Sequence, residues 1–107
     1  MIRHCVFIRF KSSVTAEQRN SLFSEIAALQ ARLSGILAVH QGCNVSPETG
    51  MDKGYADGFM VDFTEADARD AYLKDEEHQR TGARLVEAAE GGVAGILVYD
   101  METGAAE

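Results

Sequence analysis

Four side chains of this 107-residue chain have types and positions that suit proton-transfer chemistry: His78, Tyr72, His4 and Asp57. An imidazole exchanges protons near neutral pH. Asp75 precedes His78 by three residues and is a helix-capping type, so His78 falls in a first helical turn. The positive end of the helix dipole there disfavours imidazolium, and a neutral imidazole is what a general base needs. A His that only packs the helix start has the same sequence signature. Tyr72 lies six residues before His78. Its phenol can donate to His78 or to a substrate oxygen, holding developing enolate charge; the alternative is a core Tyr with a satisfied hydroxyl. His4 shares strand parity with Val6 and Ile8, as a pocket-lining or a structural His. Asp57 opens a strand on the parity of Phe59 and Val61. A carboxylate beside His78 would raise that imidazole's pKa and orient it; otherwise Asp57 is a solvated strand end.

These side chains need elements to hold them, and the apolar pattern gives six. Residues 2–11 alternate, with Ile2, His4, Val6, Ile8 and Phe10 on one face and Arg3, Cys5, Phe7, Arg9 and Lys11 on the other. Period two means a strand with two environments, one core and one suited to a partner's cover. Thr15-Ala16-Glu17-Gln18 is a capping box. It opens a helix to about residue 34, with Leu22, Phe23, Ile26, Leu29 and Leu33 as one buried stripe. Gly35 supplies its stop. Strands are predicted over 36–46 and 55–63, separated by a loop of roughly ten residues. A short helix start at Thr64 carries Ala68, Ala71 and Tyr72, and a second helical segment runs from Glu76 to about Glu90. Gly91-Gly92 breaks it before a last strand over 93–101. The order βαββαβ is an α+β, ferredoxin-like arrangement: an antiparallel four-stranded sheet with strand one between strands three and four. One domain over 1–102 is predicted, with 103–107 as a flexible tail.

Composition narrows the function classes. Apolar residues make up 46% and charged residues 25%, ordinary for a globular domain, and the formal charge is −7 with scattered basic residues. Nucleic acid and anionic membranes are therefore not expected as partners. No apolar run approaches a membrane span. The opening residues alternate like a strand and not like a signal peptide, so the expected compartment is the cytoplasm. Cys5 and Cys43 have no metal-ligand spacing and are expected as reduced thiols on non-adjacent strands; no metal is expected.

Several stretches resemble the stress-responsive dimeric α/β-barrel family. His4 to Lys11 is similar to its opening strand, and Gly42-Cys43-Asn44-Val45-Ser46 to its Gly-x-Asn-Val-Ser stretch. Lys53-Gly54-Tyr55-Ala56-Asp57-Gly58-Phe59, Tyr72-Leu73 with His78-Gln79, and Val98-Tyr99-Asp100 follow in the family's order. The resemblance covers about residues 2 to 101. It implies a homodimer in which two sheets pack face to face into a barrel. A similar group, the olivetolic-acid-cyclase-type polyketide cyclases, works without a cofactor; there a His and a Tyr drive an intramolecular aldol condensation. By motif these are His78 and Tyr72, with His4 as a supporting His. Asp57 stands where that group has another His, Asp75-Glu76 where it has His-Pro, and Gly91-Gly92 where it has a pocket-floor aromatic.

The leading expectation is a cofactor-free acid–base enzyme, a cyclase or isomerase, acting on a small keto or aromatic substrate. Its pocket would lie between helices and sheet, lined by Val6, Ile8, Leu22, Phe23, Ile26, Phe59, Val61, Ile96 and Val98. These residues are core first, and pocket only if the helices stand off the sheet. The alternatives are a non-catalytic ligand-binding or structural homodimer, and a cofactor-independent monooxygenase on a similar barrel.

Overall fold

The computed structural model describes residues 1–104. Strand β1 is Ile2–Ile8, helix α1 is Ala16–Ala28, β2 is Ile36–Cys43 and β3 is Asp57–Phe63. Helices α2, Ala66–Lys74, and α3, Glu76–Ala88, precede β4, Ile96–Glu102. The sheet order is β2-β3-β1-β4, antiparallel throughout, with β1 between β3 and β4. This is the ferredoxin-like α+β fold, with three helices on one face of a four-stranded sheet.

Local chemistry explains the boundaries. Thr15 accepts from the Gln18 amide at 3.1 Å while Gln18 accepts from the Thr15 amide at 2.8 Å, the reciprocal capping box. Helix α1 gives way to a 3₁₀ segment at Leu29–Ala31, and Gly35 follows at φ +95. A Cβ at Gly35 would lie 2.7 Å from the Ala68 Cβ, so this glycine both turns the chain and lets α2 seat closely. The first strand ends at Ile8, short of residue 11, because Phe10 leaves the ladder for an isolated bridge to Ala89. Residues 92–95 form a 3₁₀ turn, so β4 starts later than the pattern suggests.

The core lies between helices and sheet. Ile8, Val61, Phe63, Ile26, Leu29 and Tyr72 are its largest fully buried side chains. Two edges depart from expectation. Val98 is 55% exposed and Ile96 only half-buried, because β4 is an edge strand that the helices do not reach across. Thr103, expected in the tail, bonds to Met1: its amide donates to the Met1 carbonyl at 2.9 Å, and the N-terminal ammonium donates to the Thr103 carbonyl at 3.2 Å. The rest of the expected tail, residues 105–107, lies outside the described residues. Cys5 and Cys43 are free thiols on β1 and β2, separated by β3. No helix among the described residues is long and apolar enough to cross a membrane.

Candidate active site

Helix α2 ends at Lys74, and Asp75 then serves twice. Its backbone is extended, φ −64 and ψ 132, which breaks the chain between two helices. Its carboxylate accepts from the His78 amide at 3.0 Å and so caps α3. That turn sets the His78 ring against Tyr72, tilted at 43° with centroids 4.1 Å apart. Tyr72 reaches down from α2 to the sheet and packs edge-on against Phe63, at 5.1 Å, and His4, at 5.7 Å. Three of the four residues singled out from sequence, His78, Tyr72 and His4, therefore form one contiguous group.

Asp57 is not part of it. In the ladder Asp57 faces Ile8 whereas His4 faces Val61, four positions along β3. At ~3.4 Å per residue that is about 14 Å. Asp57 instead meets Arg19 of α1 at 4.0 Å. The carboxylate in the group is Asp100, directly opposite His4 on β4. His4 Nδ1 and Asp100 Oδ1 lie 2.6 Å apart, and Arg69 Nη1 of α2 donates to Asp100 Oδ2 at 2.9 Å. Neither Asp100 nor Arg69 was singled out from the sequence. The available signal was parity: Asp100 shares the helix-side face of β4 with Ile96 and Val98, and becomes a partner for His4 once β1 and β4 are paired in register.

Desolvation sets the electrostatics of the group. Burial pushes the His78 pKa below the ordinary imidazole value, assisted by the nearby His4, while Asp75 and a hydrogen bond with the Leu73 backbone pull the other way. Burial alone pushes the Tyr72 phenol well above its ordinary value. Both rings are thus neutral at neutral pH. Burial raises the Asp100 carboxyl, but hydrogen bonds from Arg69 and His4 outweigh it and hold the pKa below the ordinary range. Tyr72 Oη and His78 Nδ1 are buried and have no hydrogen-bond partner. Such orphaned groups are rare, and each costs about 1–3 kcal/mol. Polar capacity is therefore left open at the two atoms a general base and an oxyanion donor would use.

The expected pocket lining is solid in this chain. Val6, Ile8, Leu22, Phe23, Ile26, Phe59 and Val61 are buried in one packed cluster. The helices sit on the sheet, because the interlocking rings of Phe10, Phe23 and Phe59 fill the space. A concavity of about 480 Å³ lies instead against the opposite face of the sheet, where Phe7, Gly42, Gly58 and Leu97 line it beneath the β2–β3 loop. A smaller groove, about 290 Å³, runs between α1 and α3 past Gln18 and Arg84. No group of three or more His, Cys, Asp or Glu among the described residues could hold a metal ion.

A ferredoxin-like sheet with His4, Tyr72 and His78 gathered beneath its second and third helices is the class that the fold defines. Residues 2–103 match the stress-responsive A/B barrel domain family, and the chain belongs to that family. A dimeric ferredoxin-like protein of unknown function from Jannaschia sp. CCS1 is 29% identical, with a TM-score of 0.88 over 95% of this chain and 98% of that one. The protein At3g17210 from Arabidopsis thaliana is 22% identical, with a TM-score of 0.86 over 100% and 99%. A hydroxynitrile lyase from Passiflora edulis is 17% identical, with a TM-score of 0.82 over 99% and 95%, a likeness of fold. No curated protein matches the sequence.

Proposed function

We propose that the chain is a cofactor-independent acid–base catalyst of the cyclase or isomerase type, acting on a small keto or aromatic substrate as a homodimer. The observation that carries this reading is the contacting pair Tyr72 and His78, both neutral, each with a buried polar atom left unpaired. The neutral His78 ring takes a proton from the carbon beside a substrate carbonyl. The C–H electron pair moves onto the carbonyl oxygen, and the Tyr72 hydroxyl donates a hydrogen bond to that oxygen. The enolate carbon then attacks a second carbonyl of the same molecule, whose oxygen takes the proton from His78, or His78 returns the proton at another carbon. The pair His4 and Asp100, with Arg69 behind it, packs against the Tyr72 ring and fixes its tilt. A substrate enters by displacing side chains at the α2–α3 junction, because the space beneath is filled. The dimeric relative from Jannaschia sp. CCS1 supports self-association.

The filled helix–sheet space favours a second reading, a non-catalytic homodimer in which Tyr72 and His78 are core residues. Solvent-deuterium incorporation beside the carbonyl of a panel of linear β-polyketides and small keto acids separates the two. The expected result is exchange above buffer for one class, lost about 100-fold or more in His78→Ala. No exchange above buffer for any class sinks the enzymatic reading. Oxygen uptake with a hydroquinone-like compound would assign the monooxygenase alternative instead.

A further inference from the structure

The rings of Tyr72 and His78 hang from different helices, and a single residue, Asp75, joins those helices. His78 Nδ1 has no partner, so the place of the ring follows the backbone of the first turn of α3. The cap bond from the His78 amide to Asp75 shapes that turn but does not aim it, because both groups belong to the same turn. Aim must come from a contact outside α2 and α3. The middle of α3 has one in Glu25 of α1, which accepts from the Thr81 hydroxyl at 3.0 Å and pairs with Arg84. The first turn is held by Arg32.

Arg32 follows the 3₁₀ segment at the end of α1. Its amide donates to the carbonyl of the buried Leu29 at 3.1 Å, which roots it in the core. Its Nη1 donates to Asp75 Oδ1 at 3.3 Å and to Oδ2 at 3.1 Å, across 43 positions of chain. Asp75 Oδ2 is the same oxygen that takes the His78 amide at 3.0 Å. The same Nη1 also lies 3.1 Å from Glu77 Oε2, in the same turn. A guanidinium suits this place, since its terminal nitrogen carries two protons, one for each carboxylate. The Asp75 side chain is 10% exposed against 47% for Arg32, so the grip is on an enclosed carboxylate and is not an ordinary surface pair. The His78 amide first, and Arg32 with it, hold the Asp75 carboxyl below the ordinary carboxylate range against the opposing effect of burial. The carboxylate therefore stays charged at neutral pH. Three residues on, Gly35 lies against Ala68 of α2 and its carbonyl accepts from the Thr64 amide at 2.9 Å. One short stretch of chain thus seats both helices.

We propose that Arg32 is a positioning residue for His78: acting through the Asp75 carboxylate, it fixes the first turn of α3 and so the 4.1 Å approach of the imidazole to the Tyr72 ring. Its chemical consequence rests on the acid–base reading. A general base must lie within hydrogen-bond reach of the proton it takes, and a shift of about 1 Å in such a group costs up to ~100-fold in rate.

Imidazole proton resonances of the wild type, Arg32→Ala, Asp75→Ser and the double variant test this, with His78→Gln to assign the His78 signals. In the wild type the ring current of Tyr72 displaces those signals, because the two rings are in contact. Serine caps a helix as aspartate does but is too short to reach Arg32, so Asp75→Ser removes the grip and keeps the cap. Circular dichroism checks that the helices remain. The expected result is a reduced displacement in both single variants, no further change in the double variant, and unmoved signals from His40 on β2. In the deuterium-exchange assay kcat falls about tenfold or more in Arg32→Ala, while KM stays within about twofold. Unmoved His78 signals in Arg32→Ala overturn the proposal, and so do effects that add in the double variant, since Arg32 would then not act through Asp75. If Arg32→Ala does not fold, the His78 signals of Asp75→Ser decide by the same criterion. A wild type without exchange on any substrate class removes the acid–base reading and leaves the resonances to judge the role of Arg32.

Discussion

At the scale of single residues, the site is defined by what it leaves unsatisfied. The Tyr72 hydroxyl is buried without a partner, so its oxygen costs stability that a Phe would not. Tyr72→Phe is expected to raise the unfolding free energy by about 1 kcal/mol while lowering turnover roughly 100-fold. Denaturant unfolding and the deuterium-exchange assay measure the two halves. A Tyr72→Phe protein that loses stability would mean that the hydroxyl is bonded after all. The closeness of His78 and Tyr72 was legible in the sequence, because the Asp75 cap points to His78 and the family motif to both. Asp57 could not be placed correctly: strand parity puts it on the right face but says nothing of which end. His4 needed its partner Asp100, and that pair exists only through the β1–β4 register, a contact across 96 positions of chain.

At the scale of elements, one close approach decides where the α2 side chains point. Gly35 takes φ +95 and lies against Ala68, so α2 reaches its place only if that residue has no Cβ. Gly35→Ala is expected to cost about 2 kcal/mol through the left-handed backbone, with the clash against Ala68 added. Gly82 makes the internal contrast. It sits inside α3 with nothing within 4 Å of a Cβ, so Gly82→Ala should stabilise by about 0.5–1 kcal/mol. Thermal denaturation of the two variants should move in opposite directions; a shared direction would mean that α2 does not depend on the Gly35 seat. The elements themselves were legible in the sequence, since the capping box at Thr15, the alternation of β1 and the stop at Gly35 are local signals. Their ends were less so. The Phe10 bridge to Ala89 and the 3₁₀ turn before Ile96 depend on what packs against them, and neither leaves a period in the sequence.

At the scale of the whole molecule, the sheet separates two environments. One face holds a packed core with His4, Tyr72 and His78 at its margin, and the other lines the concavity of about 480 Å³. Pocket and core have the same composition in sequence, so Leu22, Phe23 and Phe59 could not reveal that the space between helices and sheet is closed; side-chain volume decides it. The burial that closes this space also keeps His78 neutral, and that is the central claim. Because its native pKa is lowered, the unfolded chain binds more protons than the native one below the ordinary imidazole value of ~6.5. Stability contributed at this position therefore rises with pH through that window and is lost as pH falls. The direct test is the unfolding free energy of wild type minus that of His78→Gln, measured by denaturant at matched concentration from pH 7.5 to pH 5. The expected difference declines as the pH drops below about 6.5, with a slope of at most ~1.4 kcal/mol per pH unit. A difference that stays flat, or grows toward acid, would show a solvated or charge-paired ring and contradict the claim.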